Sequence, residues 1–209
     1  MFDINELLKR LKKSYPAAKI ALDFSNLPEI LVATILSAQC TDKRVNQVTP
    51  VLFKKYRTLK DYANADIKEF EQEIRSTGFY HNKAKNIVQS AKVILKKYNG
   101  KVPDTMEGLL TLPGVARKTA NIVLSNGYGI VEGIAVDTHV RRLSQRIGLS
   151  KNDDPVKIEQ DLMKITPKKD WFGISNLLIE HGRKICDAKK PDCPRCMLTD
   201  MCEYYKVKQ

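Results

Sequence analysis

Four cysteines near the C-terminus carry the plainest chemistry in this chain. Cys186, Cys193, Cys196 and Cys202 are separated by six, two and five residues. Four soft thiolates within 17 residues can surround one metal centre. They are too close-set for a spread disulfide framework. The residues between them are short and polar, so an inorganic centre is expected to hold the segment together. Zinc and a four-iron four-sulfur cluster both accept four thiolates, and the spacing does not choose between them. A fifth cysteine, Cys40, lies far from this array and is expected to be a small buried side chain in a reducing compartment.

A second concentration of chemistry lies at Leu112-Pro113-Gly114-Val115-Ala116-Arg117-Lys118-Thr119-Ala120. Pro113-Gly114 predicts a tight turn, and Gly114 allows a positive φ and a close backbone approach. A helix starting near Ala116 or Arg117 would present free N–H groups and the positive end of its dipole, which is a phosphate site. The pattern matches a helix–hairpin–helix, a motif that holds the DNA backbone without reading sequence. An ordinary interhelical turn has the same Pro-Gly. Lys118 falls in the first helical turn, beside Arg117. A lysine amine free of its proton is a nucleophile that forms Schiff bases, whereas a solvated lysine simply contacts phosphate. Nineteen residues later, Asp137 follows the apolar Ala135-Val136 and precedes Thr138-His139, a pattern that predicts a helix cap. His139 reads as a packed or phosphate-contacting imidazole.

These residues need helices to position them, and helical spacing dominates the chain. Ile4, Leu7, Leu8 and Leu11 predict a first amphipathic helix. Asn26 with Glu29 reads as a capping box, with Pro28 in the first turn, before a buried helix over residues 30–38. Val45, Val48, Val51, Leu52 and Tyr56 predict another. Asp66 and Glu69 cap a short helix bearing Ile67, Phe70 and Ile74. A stripe from Ala84 to Leu95 ends at Asn99-Gly100. Two further stripes span residues 156–165 and 172–185. Residues 131–136 are the only β-like stretch, and Gly133 interrupts them. The fold class is therefore all-α. The 209 residues carry a net charge of +12, which points to a polyanionic partner, most often nucleic acid. No apolar run approaches the length of a membrane span. The N-terminal Met1-Phe2-Asp3-Ile4 does not read as a signal peptide.

Taken together, the motifs resemble the endonuclease III family of DNA glycosylases over about residues 7–202. The carrying segments are Leu36-Ser37-Ala38-Gln39 with Thr41-Asp42, Gly78-Phe79-Tyr80 with Lys83-Ala84, the hairpin, Val136-Asp137-Thr138-His139, and the cysteine array. The resemblance implies two helical lobes with a central DNA-binding cleft: residues 21–133 with the helix–hairpin–helix at about 106–128, and residues 1–20 with 134–209. It implies a 4Fe-4S cluster as cofactor on Cys186, Cys193, Cys196 and Cys202. It implies Lys118 and Asp137 as catalytic residues in the excision of oxidised pyrimidines and cleavage of the abasic site by β-elimination. Gln39 and Phe79 would fill the gap left by a flipped nucleotide. Gly114, Ala116, Arg117, His139, Lys189 and Lys190 would contact DNA. The implied partner is damaged double-stranded DNA, bound by a monomer in the cytoplasm and, in a prokaryote, at the nucleoid. Ala116 stands where the commonest family pattern has a second glycine. If that position needed a positive φ, alanine would cost roughly 1 kcal/mol. The alternatives are a monofunctional mismatch or uracil-type glycosylase, against which Lys118 argues, and a non-catalytic cluster protein that binds DNA or senses redox state.

Overall fold

The computed structural model describes residues 3–208, so Met1, Phe2 and Gln209, at the outer ends of the second implied lobe, lie outside the described residues. The chain is all-α, with no strand among the described residues. Its α-helices are α1 (Ile4–Ser14), α2 (Leu27–Leu36), α3 (Asp42–Lys55), α4 (Leu59–Ala63), α5 (Ile67–Ile74), α6 (Tyr80–Lys97), α7 (Met106–Leu110), α8 (Arg117–Val123), α9 (Thr138–Ile147), α10 (Pro155–Ile165), α11 (Trp171–Lys184) and α12 (Glu203–Lys208). No described helix is long and apolar enough to cross a membrane. The chain divides into two compact units: residues 21–132, and residues 1–20 with 133–209.

The continuous unit is built around α2. Its residues from Ile30 to Leu36 are all buried. Asn26 caps this helix by accepting from the Glu29 N–H at 2.9 Å. Glu29 does not close a standard capping box: one carboxylate oxygen accepts from the Ser25 N–H and the other from the Asn26 side chain. In α3 the buried stripe is Val45, Thr49 and Leu52, while Val51 is 74% exposed. Val51 therefore departs from the predicted stripe, and Thr49 takes an inward position instead. Tyr56, Tyr62 and Phe70 form an aromatic cluster, with ring centroids 5.1–6.0 Å apart. The 18-residue α6 ends as predicted at Asn99-Gly100, where the Gly100 N–H bonds the Ile94 carbonyl.

The discontinuous unit closes α1 onto α9, α10 and α11. Leu7, Leu11, Val140, Leu143, Ile158, Leu162, Ile174 and Leu178 form its core, and Cys186 and Cys196 pack against its edge. Arg10 grips Asp200 with two bonds of 2.6 and 3.0 Å and also donates to the Met197 carbonyl. The N-terminal helix is thus tied to the cysteine loop through a bidentate, charge-assisted pair. Residues 131–136, the β-like stretch, run without regular structure. Here Gly133, Ile134 and Val136 are buried, and Ser175 Oγ donates to the Ala135 carbonyl.

Candidate nucleic-acid interface and metal centre

The hairpin joins α7 to α8 in a geometry that demands its glycine. Gly114 has φ +76°, and a Cβ there would lie 2.6 Å from Asn86 Nδ2 and 2.9 Å from Asn86 Cβ. Ser90 Oγ donates to the Pro113 carbonyl and the Val115 N–H to the Leu112 carbonyl, which pins the turn to α6. Helix α8 starts at Arg117, and its N-cap Ala116 supplies no side-chain oxygen. The first N–H groups of α8 thus lack the usual side-chain cap. Lys118 is half-buried in this first turn. Gly114, Ala116, Arg117 and Lys118 are therefore brought together on one turn.

Two strained tips belong to the same unit. Gln39 follows the end of α2 with φ +52°, and Phe79 precedes α6 with φ +48°. Left-handed backbone is costly for a non-glycine residue and marks a position that its surroundings enforce. Both residues are exposed, Phe79 at 60%. An aromatic ring 60% exposed on a strained turn does not serve the core. Beneath them lies Lys83, which is buried. Its ammonium donates to the carbonyls of Leu36 at 2.7 Å and Thr77 at 2.8 Å. Cys40 is half-exposed in the same turn as Gln39, not buried as its residue type predicts. The left-handed turn at Gln39 precedes it, and the Cys40 Sγ lies 3.7 Å from the Thr41 carbonyl.

In the other unit Asp137 caps α9, its Oδ1 accepting from the Val140 N–H at 2.8 Å. His139 is half-buried two residues on, with Nδ1 3.1 Å from Arg142 Nη2. The four cysteines line one space, together with His181, Leu198, Tyr204 and Tyr205. Among the described residues no three His, Cys, Asp or Glu side chains are set to hold a single metal ion. Burial, and then the nearness of the other three thiols, pushes Cys196 up to about 11. Burial also raises Cys202. Crowded thiols of this kind resist ionisation until a cation stands among them.

Donors surround the sulfurs. Arg146 Nη1 lies 3.3 Å from Cys186 Sγ, and the Leu198 N–H points to Cys196 Sγ at 3.4 Å. Arg146 also donates to the carbonyls of Asp187 and Ala188. His181 Nε2 lies 3.4 Å from Cys196 Sγ and Nδ1 lies 2.9 Å from Tyr15 Oη. Burial pushes His181 down to about 4, so its imidazole is neutral at pH 7. Lys189 and Lys190 are exposed on the loop after Cys186, with both backbone N–H groups donating to Asp187 Oδ1.

A family model described as HhH-GPD superfamily base excision DNA repair protein matches residues 32–168. The chain is 54% identical to the endonuclease III of Synechocystis sp., over 94% of this chain and 90% of that protein. The chain belongs to the endonuclease III family. It is also 45% identical to the endonuclease III of Bacillus subtilis, over 93% of this chain and 89% of the relative. A solved structure of a trapped endonuclease III–DNA covalent intermediate superposes with a TM-score of 0.94 at 45% identity, covering 98% of this chain and 96% of that one. Endonuclease III homologues are generally iron–sulfur proteins.

Against the common endonuclease III pattern, Ala116 is a benign departure. Its φ is −93° and ψ is 170°, ordinary extended backbone, so the residue carries none of the strain that a positive φ would impose. Sequence reasoning passed over three residues. Lys83 stood inside a quoted motif but was given no role. Arg146 and His181, which serve the cysteine sulfurs, sit on α9 and α11 with only helical periodicity around them, and no local signal picks them out.

Proposed function

We propose that this chain is a bifunctional base excision repair enzyme that removes oxidised pyrimidines from duplex DNA and then cleaves the abasic site. Lys118 carries the reading: an amine in the first turn of a helix that follows a hairpin built for close backbone approach. An endonuclease III of the same fold has been trapped as a covalent intermediate with DNA. A covalent link requires a nucleophile, and an amine fits this one. The target nucleotide leaves the stack, since C1′ cannot be attacked within it. The Lys118 Nζ lone pair attacks C1′, the C1′–N bond breaks, and the base departs with the electron pair and gains a proton. The amine loses its proton and the sugar ring opens to a protonated imine. The imine acidifies the C2′ proton. Its loss expels the 3′ phosphate by β-elimination, and water later releases the lysine.

Asp137 uses Oδ1 as a cap, and its carboxylate is read as stabilising positive charge that develops on the sugar. Gln39 and Phe79 fill the space that the flipped nucleotide vacates, with the Phe79 ring replacing lost stacking. Gly114, Ala116 and Arg117 receive the phosphate backbone through the uncapped start of α8. His139, Lys189 and Lys190 add phosphate contacts. The net charge of +12 serves the same polyanion. Damaged duplex DNA is bound by a single chain. The family's two lobes, residues 21–133 and residues 1–20 with 134–209, are read onto the two compact units.

The cysteine donor set fits a 4Fe-4S cluster. Four crowded thiols face a common space, and N–H donors from Arg146 and Leu198 are aimed at the sulfurs, as such clusters require. When bound, the cluster supplies a structural tie for the loop that bears Lys189 and Lys190, and no step of the excision. Reduced cysteines and a chromosomal substrate support reading the enzyme as cytoplasmic and, in a prokaryote, at the nucleoid.

The test is incision of a thymine glycol duplex. The reading expects a nicked strand with an unsaturated aldehyde at its 3′ end without alkali. An abasic strand that breaks only after alkali would indicate a monofunctional glycosylase. An untouched strand that is nonetheless bound would indicate a binding protein.

A further inference from the structure

We propose that Lys83 is a positioning residue that sets both DNA-penetrating tips, Gln39 and Phe79, by bonding the two helix ends that carry them; this rests on the function proposed above. Leu36 is the last residue of α2 and Thr77 the last of a 3-10 turn over Arg75–Thr77. Carbonyls at such ends have no partner in their own helix and carry the negative end of the dipole. One ammonium takes both, at 2.7 and 2.8 Å. Gln39 lies three residues beyond the first held carbonyl, and Phe79 lies two beyond the second.

The placement runs against local preference. Lys83 lies in the first turns of α6, whose own dipole disfavours a cation there. It is also buried, and burial lowers its affinity for a proton. An apolar side chain would fill the site without that cost. The two helix C-termini are what hold the charge in place. The Lys83 N–H also donates to the Phe79 carbonyl at 3.1 Å, so one residue fixes the Phe79 tip from both its backbone and its side chain. With no such link, two left-handed tips would each relax toward ordinary backbone.

Lys83→Met keeps the volume and removes the three donors. The measurements are single-turnover excision from a thymine glycol duplex, cleavage of a single-stranded abasic oligonucleotide, and binding to a duplex bearing a tetrahydrofuran abasic analogue. A displacement near 1 Å at a positioning residue lowers rates by up to about 100-fold. Duplex excision is therefore expected to fall about 10- to 100-fold and duplex binding to weaken, while single-strand cleavage, which needs no wedge, stays within about three-fold of wild type. In a Phe79→Ala background the same substitution is expected to cost less than it does in wild type, because one of the two tips it positions is gone.

Equal losses on duplex and single strand would make Lys83 a general fold residue and overturn the proposal. So would an undiminished effect in the Phe79→Ala background, or unchanged binding and excision. Should Lys83→Met fail to fold, Lys83→Gln, which keeps donors and loses the charge, is read in the same contrast: a selective duplex loss supports the clamp and equal losses overturn it. The wild-type rate tests the enzyme reading, and the ratio of variant to wild type tests the clamp. If wild type proved inactive, binding to the abasic analogue would still decide the clamp.

Discussion

Replacing Gly114 with alanine should separate two costs that the hairpin combines. A non-glycine residue at φ +76° costs about 1–2 kcal/mol in backbone strain. The new methyl group would also stand 2.6–2.9 Å from the Nδ2, Cγ and Cβ atoms of Asn86. Because Cβ is fixed to the α6 backbone, the clash cannot be relieved by swinging the amide alone, and overpacking of this kind adds about 1–3 kcal/mol. The sum is about 2–5 kcal/mol. Gly78→Ala is the matched control: φ is +71° and no atom lies within 4 Å of the added Cβ, so only the strain remains, about 1–2 kcal/mol. Ala116→Gly is the second control. Its backbone is ordinary, so the change costs no more than about 1 kcal/mol of added chain freedom. All three sites lie in the same compact unit, so urea unfolding followed by circular dichroism compares like with like. Gly114→Ala should be the least stable of the three and should bind undamaged DNA more weakly. A Gly114→Ala no less stable than Gly78→Ala would refute the packing argument. An Ala116→Gly that stabilised DNA binding strongly would refute the claim that Ala116 is benign.

Further outcomes follow from the same geometry. Phe79→Ala should leave stability nearly unchanged, since the ring is 60% exposed, yet lower excision from a paired duplex by about ten-fold or more through lost stacking; unchanged excision would remove its wedge role. Arg146→Ala removes a donor to Cys186 Sγ and two loop carbonyl bonds, so the visible absorbance that the proposed iron–sulfur cluster would give should fade faster in air; equal lifetimes would show that the sulfur bond is idle. The hydroxyl of Ser150, then the Asn152 amide, holds the Asp161 carboxyl below its usual range. A carboxyl depressed in the folded state adds stability that is complete above its unfolded value and is lost as pH falls through the folded one. The stability gap between wild type and Asp161→Asn should therefore be full above about pH 4 and close below it; a gap that persists at lower pH would contradict that assignment.

What the sequence makes legible depends on how local the cause is. Asp66 and Asp137 accept from the N–H three residues on, and Gly100 closes α6, because caps are set by neighbours along the chain. The stripe at Ile4, Leu7, Leu8 and Leu11 is buried throughout because α1 has one packed face. Val51 and Thr49 exchange roles in α3 because the direction of packing depends on elements distant in sequence. The array of thiols and the hairpin glycine could be marked from spacing alone. The residues that hold the two strained tips and the sulfurs could not: Lys83 meets carbonyls 47 and six residues away, and Arg146 meets a sulfur 40 residues away.

Borohydride trapping tests the central claim most directly. Wild type and Lys118→Gln are each incubated with a thymine glycol duplex and an abasic duplex in the presence of borohydride, which reduces an imine to a stable amine. A protein–DNA adduct is expected with wild type on both duplexes and none with Lys118→Gln, while the variant still binds DNA. An adduct that survives the loss of Lys118, or no adduct with wild type on either duplex, would contradict the lysine mechanism.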